Sequence, residues 1–115
     1  MKLDIERRDS VSICRISGEL DAGNSRELLD AFDREFNDGA TKAIFSLSGL
    51  DYVDSSGLGA LVKALKSARA KGGDVKLAGL KPEVRKVLEL TRLDRIFDIF
   101  PSETHAIESL LAAKR

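Results

Sequence analysis

The stretch Asp54-Ser55-Ser56-Gly57-Leu58-Gly59 sets a carboxylate, two hydroxyls and two glycines where a strand and loop hand over to a helix. A hydroxyl at a helix start can cap free backbone N–H groups, act as a nucleophile, or accept a phosphoryl group. Each glycine costs a helix about 1 kcal/mol relative to alanine, so the helix alone gives no reason for two of them. Removing the side chain lets another backbone or a ligand approach closely. The simplest reading makes Ser55 or Ser56 an N-cap, with the glycines allowing close packing on a sheet. The nucleophile reading lacks support, because Asp54 or Val53 stands where the G-x-S-x-G elbow needs its first glycine. His105, the only histidine, falls in the C-terminal helix and is expected as a surface residue, not a base. Gly57-Leu58-Gly59 lacks the third glycine of a dinucleotide loop, and no G-x-x-x-x-G-K-[ST] occurs. Beside the cap reading there remains a serine offered at a helix N-terminus for phosphorylation by another protein.

The chain that must position this motif has 115 residues, enough for one domain and a core without disulfides. A single unit over 1–115 is expected, since no repeat, low-complexity tract or linker interrupts it. Its 19 basic and 19 acidic residues cancel, which argues against recruitment by nucleic acid or an anionic membrane. Cys14 is the only cysteine, so neither an internal disulfide nor a four-ligand zinc cage can form. A reducing, cytoplasmic setting fits that usage. The first ten residues contain no apolar run of the kind a signal peptide needs, and no stretch of about 18 apolar residues suggests a membrane span.

Periodicity assigns the elements. Leu3 to Arg8 and Val11 to Ser17 read as antiparallel strands joined at Asp9-Ser10, with Gly18 ending the second. Asn24 with Glu27 reads as a capping box, ahead of a helix burying Leu28, Leu29, Phe32 and Phe36 and stopping at Asp38-Gly39. Lys42 to Leu47 reads as a strand buried on both sides. The helix after the serine motif carries Leu58, Leu61, Val62, Leu65 and Ala68 inward and closes at Gly72-Gly73. Then follow a strand at Val75 to Ala78, a helix from Pro82 burying Val84, Val87 and Leu88, and a weak strand at Ile96 to Phe100. Ser102 caps a last helix reaching Leu111. The fold class is therefore α/β, a mixed sheet of about five strands and about four helices. Its first strand is antiparallel and the rest mostly parallel, with a right-handed crossover expected between the second strand and the third.

Gly18-Glu19-Leu20-Asp21, followed about thirty residues later by Val53-Asp54-Ser55-Ser56-Gly57-Leu58-Gly59, resembles the STAS-domain family of bacterial anti-sigma factor antagonists. The order of elements agrees with that family along the whole chain. The resemblance implies a protein that binds an anti-sigma factor, itself a serine kinase, and so releases a sigma factor to RNA polymerase. It implies that phosphorylation of Ser56 switches binding off and that a cognate serine phosphatase restores it. Asp21 and Asp54 match family positions near the serine, and with Ser55, Gly57, Leu58 and Gly59 they are the expected partner-binding set. No catalytic residue, metal or cofactor of this chain's own is implied; the ATP chemistry belongs to the partner. A second use of STAS domains, as a binding or scaffolding subunit of a transporter or signalling assembly with Ser56 only a cap, is the alternative.

The remaining candidates read as structural. Cys14, between Ile13 and Ile16, is expected to be buried packing, and Tyr52 and the phenylalanines are spaced like core residues. Lys63, Lys66 and Arg69 form a charged side of the serine-bearing helix that is a solvated face or meets an acidic partner. Residues 19 to 54 hold nine acidic and three basic side chains, and residues 63 to 95 hold ten basic and four acidic. Between them, residues 55 to 62 carry no charge.

Overall fold

The computed structural model describes residues 1–113. Strands β1 (Lys2–Arg8) and β2 (Val11–Leu20) form a hairpin through Asp9, whose φ is 54°. There follow α1 (Ser25–Asn37), β3 (Lys42–Val53), α2 (Ser55–Ala70), β4 (Asp74–Ala78) and α3 (Pro82–Leu90). A short 3-10 turn (Leu93–Arg95), β5 (Asp98–Phe100) and α4 (Glu103–Ala113) complete the order. The five strands lie in sequence order β1-β2-β3-β4-β5, with β1 antiparallel to β2 and every other pair parallel. This is the α/β mixed sheet that the periodicity predicts.

Alternation along the strands sends consecutive residues to opposite faces, and each face has its own apolar cover. Cys14, Phe45 and Leu77 face α1, α2 and α3, whose Leu28, Phe32, Leu61, Leu65, Val84 and Leu88 close the larger core. Ile13, Ile44 and Ala78 face α4, through Ala106 and Leu110. Phe32 stacks on Phe36 at 4.3 Å between ring centroids and meets Phe45 edge-on at 6.2 Å, which seats α1 on β3. Arg7 fixes the C-terminal end of α1 by donating to the Glu35 and Asp38 carbonyls, at 3.1 and 2.6 Å. Cys14 is buried as expected, and burial pushes its thiol up to about 11.

Four local expectations are corrected. β2 does not end at Gly18 but continues to Leu20, because β3 is twice the predicted length and supplies partners as far as Val53. The pair shifts register twice, between Arg15 and Ser17 and between Gly18 and Glu19, with one extra β3 residue each time. Gly18, beside the second shift, adopts φ +88°, a conformation side chains resist. Asn24 precedes α1 without a side-chain cap bond. Its amide instead accepts from the Asp21 N–H and donates to the Glu19 carbonyl, both at 2.9 Å, so no capping box forms. Finally, Arg92 turns into the left-handed region at φ 62° and opens the 3-10 turn, leaving only three residues for β5.

α4 is held to the sheet by Arg15, which donates to both Glu103 oxygens at 2.9 and 3.0 Å and to Glu6 at 2.9 Å. The guanidinium hydrogen bonds hold the Glu103 carboxyl below its ordinary 4.5. A lowered folded-state pKa stabilises the fold above the unfolded value, and the contribution is lost as pH falls through the folded one. Arg15→Met is therefore expected to destabilise the protein by about 1 kcal/mol at neutral pH, a figure already reduced for solvent screening. At acidic pH, once the carboxyls are protonated, wild type and variant should converge. Urea midpoints at the two pH values test this; an equal gap at both would remove the ion pair as the cause.

Candidate functional site

The last residues of β2 and β3, Leu20 and Val53, are register partners, so the loops that follow them leave the sheet side by side. This is the carboxyl end of the parallel strands, where α/β folds commonly place binding residues. Asp54 joins the two loops. Its N–H donates to the Leu20 carbonyl at 3.1 Å, and its carboxylate accepts from Gly57 N–H at 2.8 Å and Ala22 N–H at 3.2 Å. Its own carbonyl accepts the first helical bond of α2, from Leu58 at 2.9 Å. Asp54 is thus the N-cap, and the reading of Ser55 or Ser56 as the cap is corrected. A carboxylate satisfies the N3 donor and complements the positive end of the helix at once.

With the cap taken by Asp54, Ser55 and Ser56 become the first two helical residues, and both are exposed. Their backbone N–H groups belong to the first turn, which the helix leaves without internal partners. Asp21 is half-buried, and its carboxylate accepts from Gly23 N–H at 2.9 Å in a tight turn of the neighbouring loop. Gly57 is buried. A Cβ there would lie 2.5 Å from the Leu20 carbonyl oxygen and 2.7 Å from Val53 Cγ2. Leu58 points into the core at 8% exposure. Gly59 is exposed, and a Cβ built on it meets nothing within 4 Å.

The motif therefore divides by function within the fold. Asp54, Gly57 and Leu58 build the corner; Ser55, Ser56 and Gly59 are presented by it. Asp54→Ala is expected to cost about 1 to 2 kcal/mol, since it removes the cap and the tie to Ala22 together. Asp54→Asn should recover part of that loss, because asparagine also caps. Thermal unfolding of the two variants checks the assignment; equal midpoints for Ala and wild type would refute it.

Tyr52 is a residue that spacing misplaced. It is 52% exposed, because β4 pairs only with Lys42 to Ser46 and leaves the far end of β3 without a neighbour on that side. It lines a shallow groove with Asp51, Glu83 and Val87 beside the start of α2. Asp51 is ion-paired with Lys81. The length of β3 was the missing signal. His105 is exposed on α4, across the sheet from the helices α1 to α3, with Nδ1 at 2.7 Å from Ser102 Oγ. It does not serve the serines. Among the described residues no group of His, Cys, Asp and Glu could hold a metal ion.

A family model described as STAS domain matches residues 2–106. The chain belongs to the STAS-domain family. It is similar to the anti-sigma F factor antagonist of Paenibacillus polymyxa, at 31% identity over 96% of this chain and 95% of that one. The anti-sigma-B factor antagonist of Listeria monocytogenes is 31% identical over 86% of this chain and 88% of the relative. Among solved structures, the STAS fold here matches the anti-sigma factor antagonist SpoIIAA in its unphosphorylated form with a TM-score of 0.85. That likeness has 23% identity and covers 96% of this chain and 97% of the other. The phosphorylated form of SpoIIAA matches at a TM-score of 0.76, again with 23% identity, over 95% and 99% of the two chains. No described helix of this STAS domain is long and apolar enough to cross a membrane.

Proposed function

We propose that this STAS domain is an anti-sigma factor antagonist that works by binding an anti-sigma factor serine kinase and is switched off when Ser56 is phosphorylated. The reading rests on one observation. Asp54 occupies the N-cap of α2 and leaves Ser56 exposed at the second helical position, without a structural task in the cap. The names of the relatives agree with the general role. This chain's action is association, and the transfer of phosphate belongs to the kinase. A cognate serine phosphatase returns the antagonist to its binding form, in the cytoplasm where the sigma factor works.

The local physics favours a switch at the surface over a change of fold. A phosphate brings about −1.5 to −2 charges and strong acceptor oxygens. At the second position of a helix it meets the positive end of the dipole and free N–H groups, so the domain itself tolerates it. Residues 55 to 62 hold no cation to neutralise it, and Asp54 and Asp21 lie in the adjoining loops. The added charge therefore stays on the surface and acts on whatever docks there. Incubation with the purified anti-sigma factor kinase and ATP should add one phosphoryl group to the intact mass of the wild type and none to Ser56→Ala. An unmodified wild type, or an equally modified Ser56→Ala, would overturn the assignment.

A further inference from the structure

Helix α2 carries Lys63, Lys66 and Arg69 and no carboxylate anywhere along Ser55–Ala70. The neighbouring helices mix their signs in the way solvated faces do, with Arg26–Asp30 at 3.4 Å on α1 and Arg85–Glu89 at 3.5 Å on α3. Arg69 is tied down by Asp74 at 3.3 Å and by the Ile96 carbonyl at 3.1 Å. Lys63 and Lys66 are exposed, and neither lies within ion-pair distance of a carboxylate among the described residues. Like charges one turn apart destabilise a helix slightly. The helix dipole compensates cations in the last turn only, which accounts for Arg69 and not for Lys63, two turns from the end.

The helical period sets these lysines in line with the serine. At about 100° per residue, Ser56, Gly59, Lys63, Lys66 and Ala70 fall within one stripe roughly 80° wide. All five are exposed, so the stripe is the outward crest of α2. Gly59 has no packing role, and its missing side chain leaves the crest low between Ser56 and Lys63. Alongside runs a groove of about 170 Å³, with Leu29, Asp30 and Asp33 of α1 on one wall and Lys63 and Ser67 of α2 on the other.

We propose that the crest Gly59–Lys63–Lys66 is a docking surface for an acidic patch on the kinase that modifies Ser56, an inference that rests on the phospho-switch reading above. Charge complementarity identifies the occupant as acidic. A nucleic acid carries phosphates along its whole length and the chain as a whole has no positive excess to hold it, whereas an acidic patch on a folded protein need only match the two lysines. The same geometry explains how one phosphate at Ser56 opposes binding. The phosphate stands at the end of the crest, facing the acidic surface that the lysines attract. Docking and its reversal then use one electrostatic track.

The test measures binding of the purified kinase to wild type, Lys63→Glu/Lys66→Glu, Lys63→Gln/Lys66→Gln and, as a control on another surface, Lys2→Glu. At low salt the double Glu variant should bind at least about 10-fold more weakly, and the double Gln variant should fall between it and wild type. The gap should shrink at about 0.5 M salt, and Lys2→Glu should match wild type. Phosphorylation of the Glu variant should show a raised KM with little change in kcat. Wild-type affinity and KM retained in the double Glu variant would overturn the crest while leaving the Ser56 reading intact. A wild type that neither binds the kinase nor accepts phosphate would end both. A single-stranded RNA oligonucleotide is titrated alone; binding to the wild type as tight as the kinase's, and lost in the double Glu variant, would overturn the choice of an acidic protein partner.

Discussion

Replacing Gly57 with alanine is expected to destabilise the protein by about 3 kcal/mol, whereas the same change at Gly59 should stabilise it by about 0.5 to 1 kcal/mol. The two glycines sit two residues apart on one helix, so propensity alone predicts the same gain at both. Packing reverses the sign at Gly57. The added methyl would lie 2.5 Å from the Leu20 carbonyl oxygen and 2.9 Å from Leu20 Cγ, and neither is the free end of a flexible side chain. Relief requires the start of α2 to move off the β2–β3 end, which pulls Asp54 from Gly57 and Ala22. At Gly59 the methyl meets nothing within 4 Å. Urea denaturation should lower the Gly57→Ala midpoint by about 1 to 3 M and raise that of Gly59→Ala modestly. Equal shifts in the two variants would show that helix propensity, and not the contact with Leu20, governs the corner.

The second large effect is on binding. Ser56→Asp should weaken association with the anti-sigma factor kinase by at least about 100-fold, since like charges brought together at an interface cost several kcal/mol. Ser56→Ala should bind as the unmodified protein does and persist in the presence of ATP. Stability should not follow. An aspartate at the second position of a helix is favourable by roughly 0.3 to 1 kcal/mol, so Ser56→Asp should unfold at the wild-type urea concentration or slightly above it. Titration calorimetry and urea denaturation on the same preparations separate recognition from folding. Identical binding by Ser56→Ala and Ser56→Asp would rule out the phosphate switch and favour a STAS scaffold that uses Ser56 as surface only.

Much of the fold was legible because its punctuation is local. Asp9-Ser10, Asp38-Gly39 and Pro82 lie where the chain turns or a helix begins, and each acts through its own backbone preferences. Apolar spacing then named the inward residues of α1, α2 and α3 with small errors, Leu29, Val62 and Val87 being half-buried. The errors that matter share one cause. The end of β2, the length of β3 and the exposure of Tyr52 all depend on how far two strands some thirty residues apart remain paired. Nothing in either segment alone reports that.

The serine motif shows the same boundary. Its residue types, its place between a strand and a helix, and its position between an acidic and a basic half of the chain belong to the sequence by itself. So does the stripe of Ser56, Gly59, Lys63 and Lys66, since helical period is a local property. Only the tertiary structure decided which members of the motif build and which are displayed. The register of Leu20 against Val53 brings the β2–α1 loop beside Asp54, turns that carboxylate into the cap, and presses Gly57 against Leu20. Ser56 is then left facing outward. Capping preference ranks aspartate and serine as near equals, and a contact made across the sheet broke the tie.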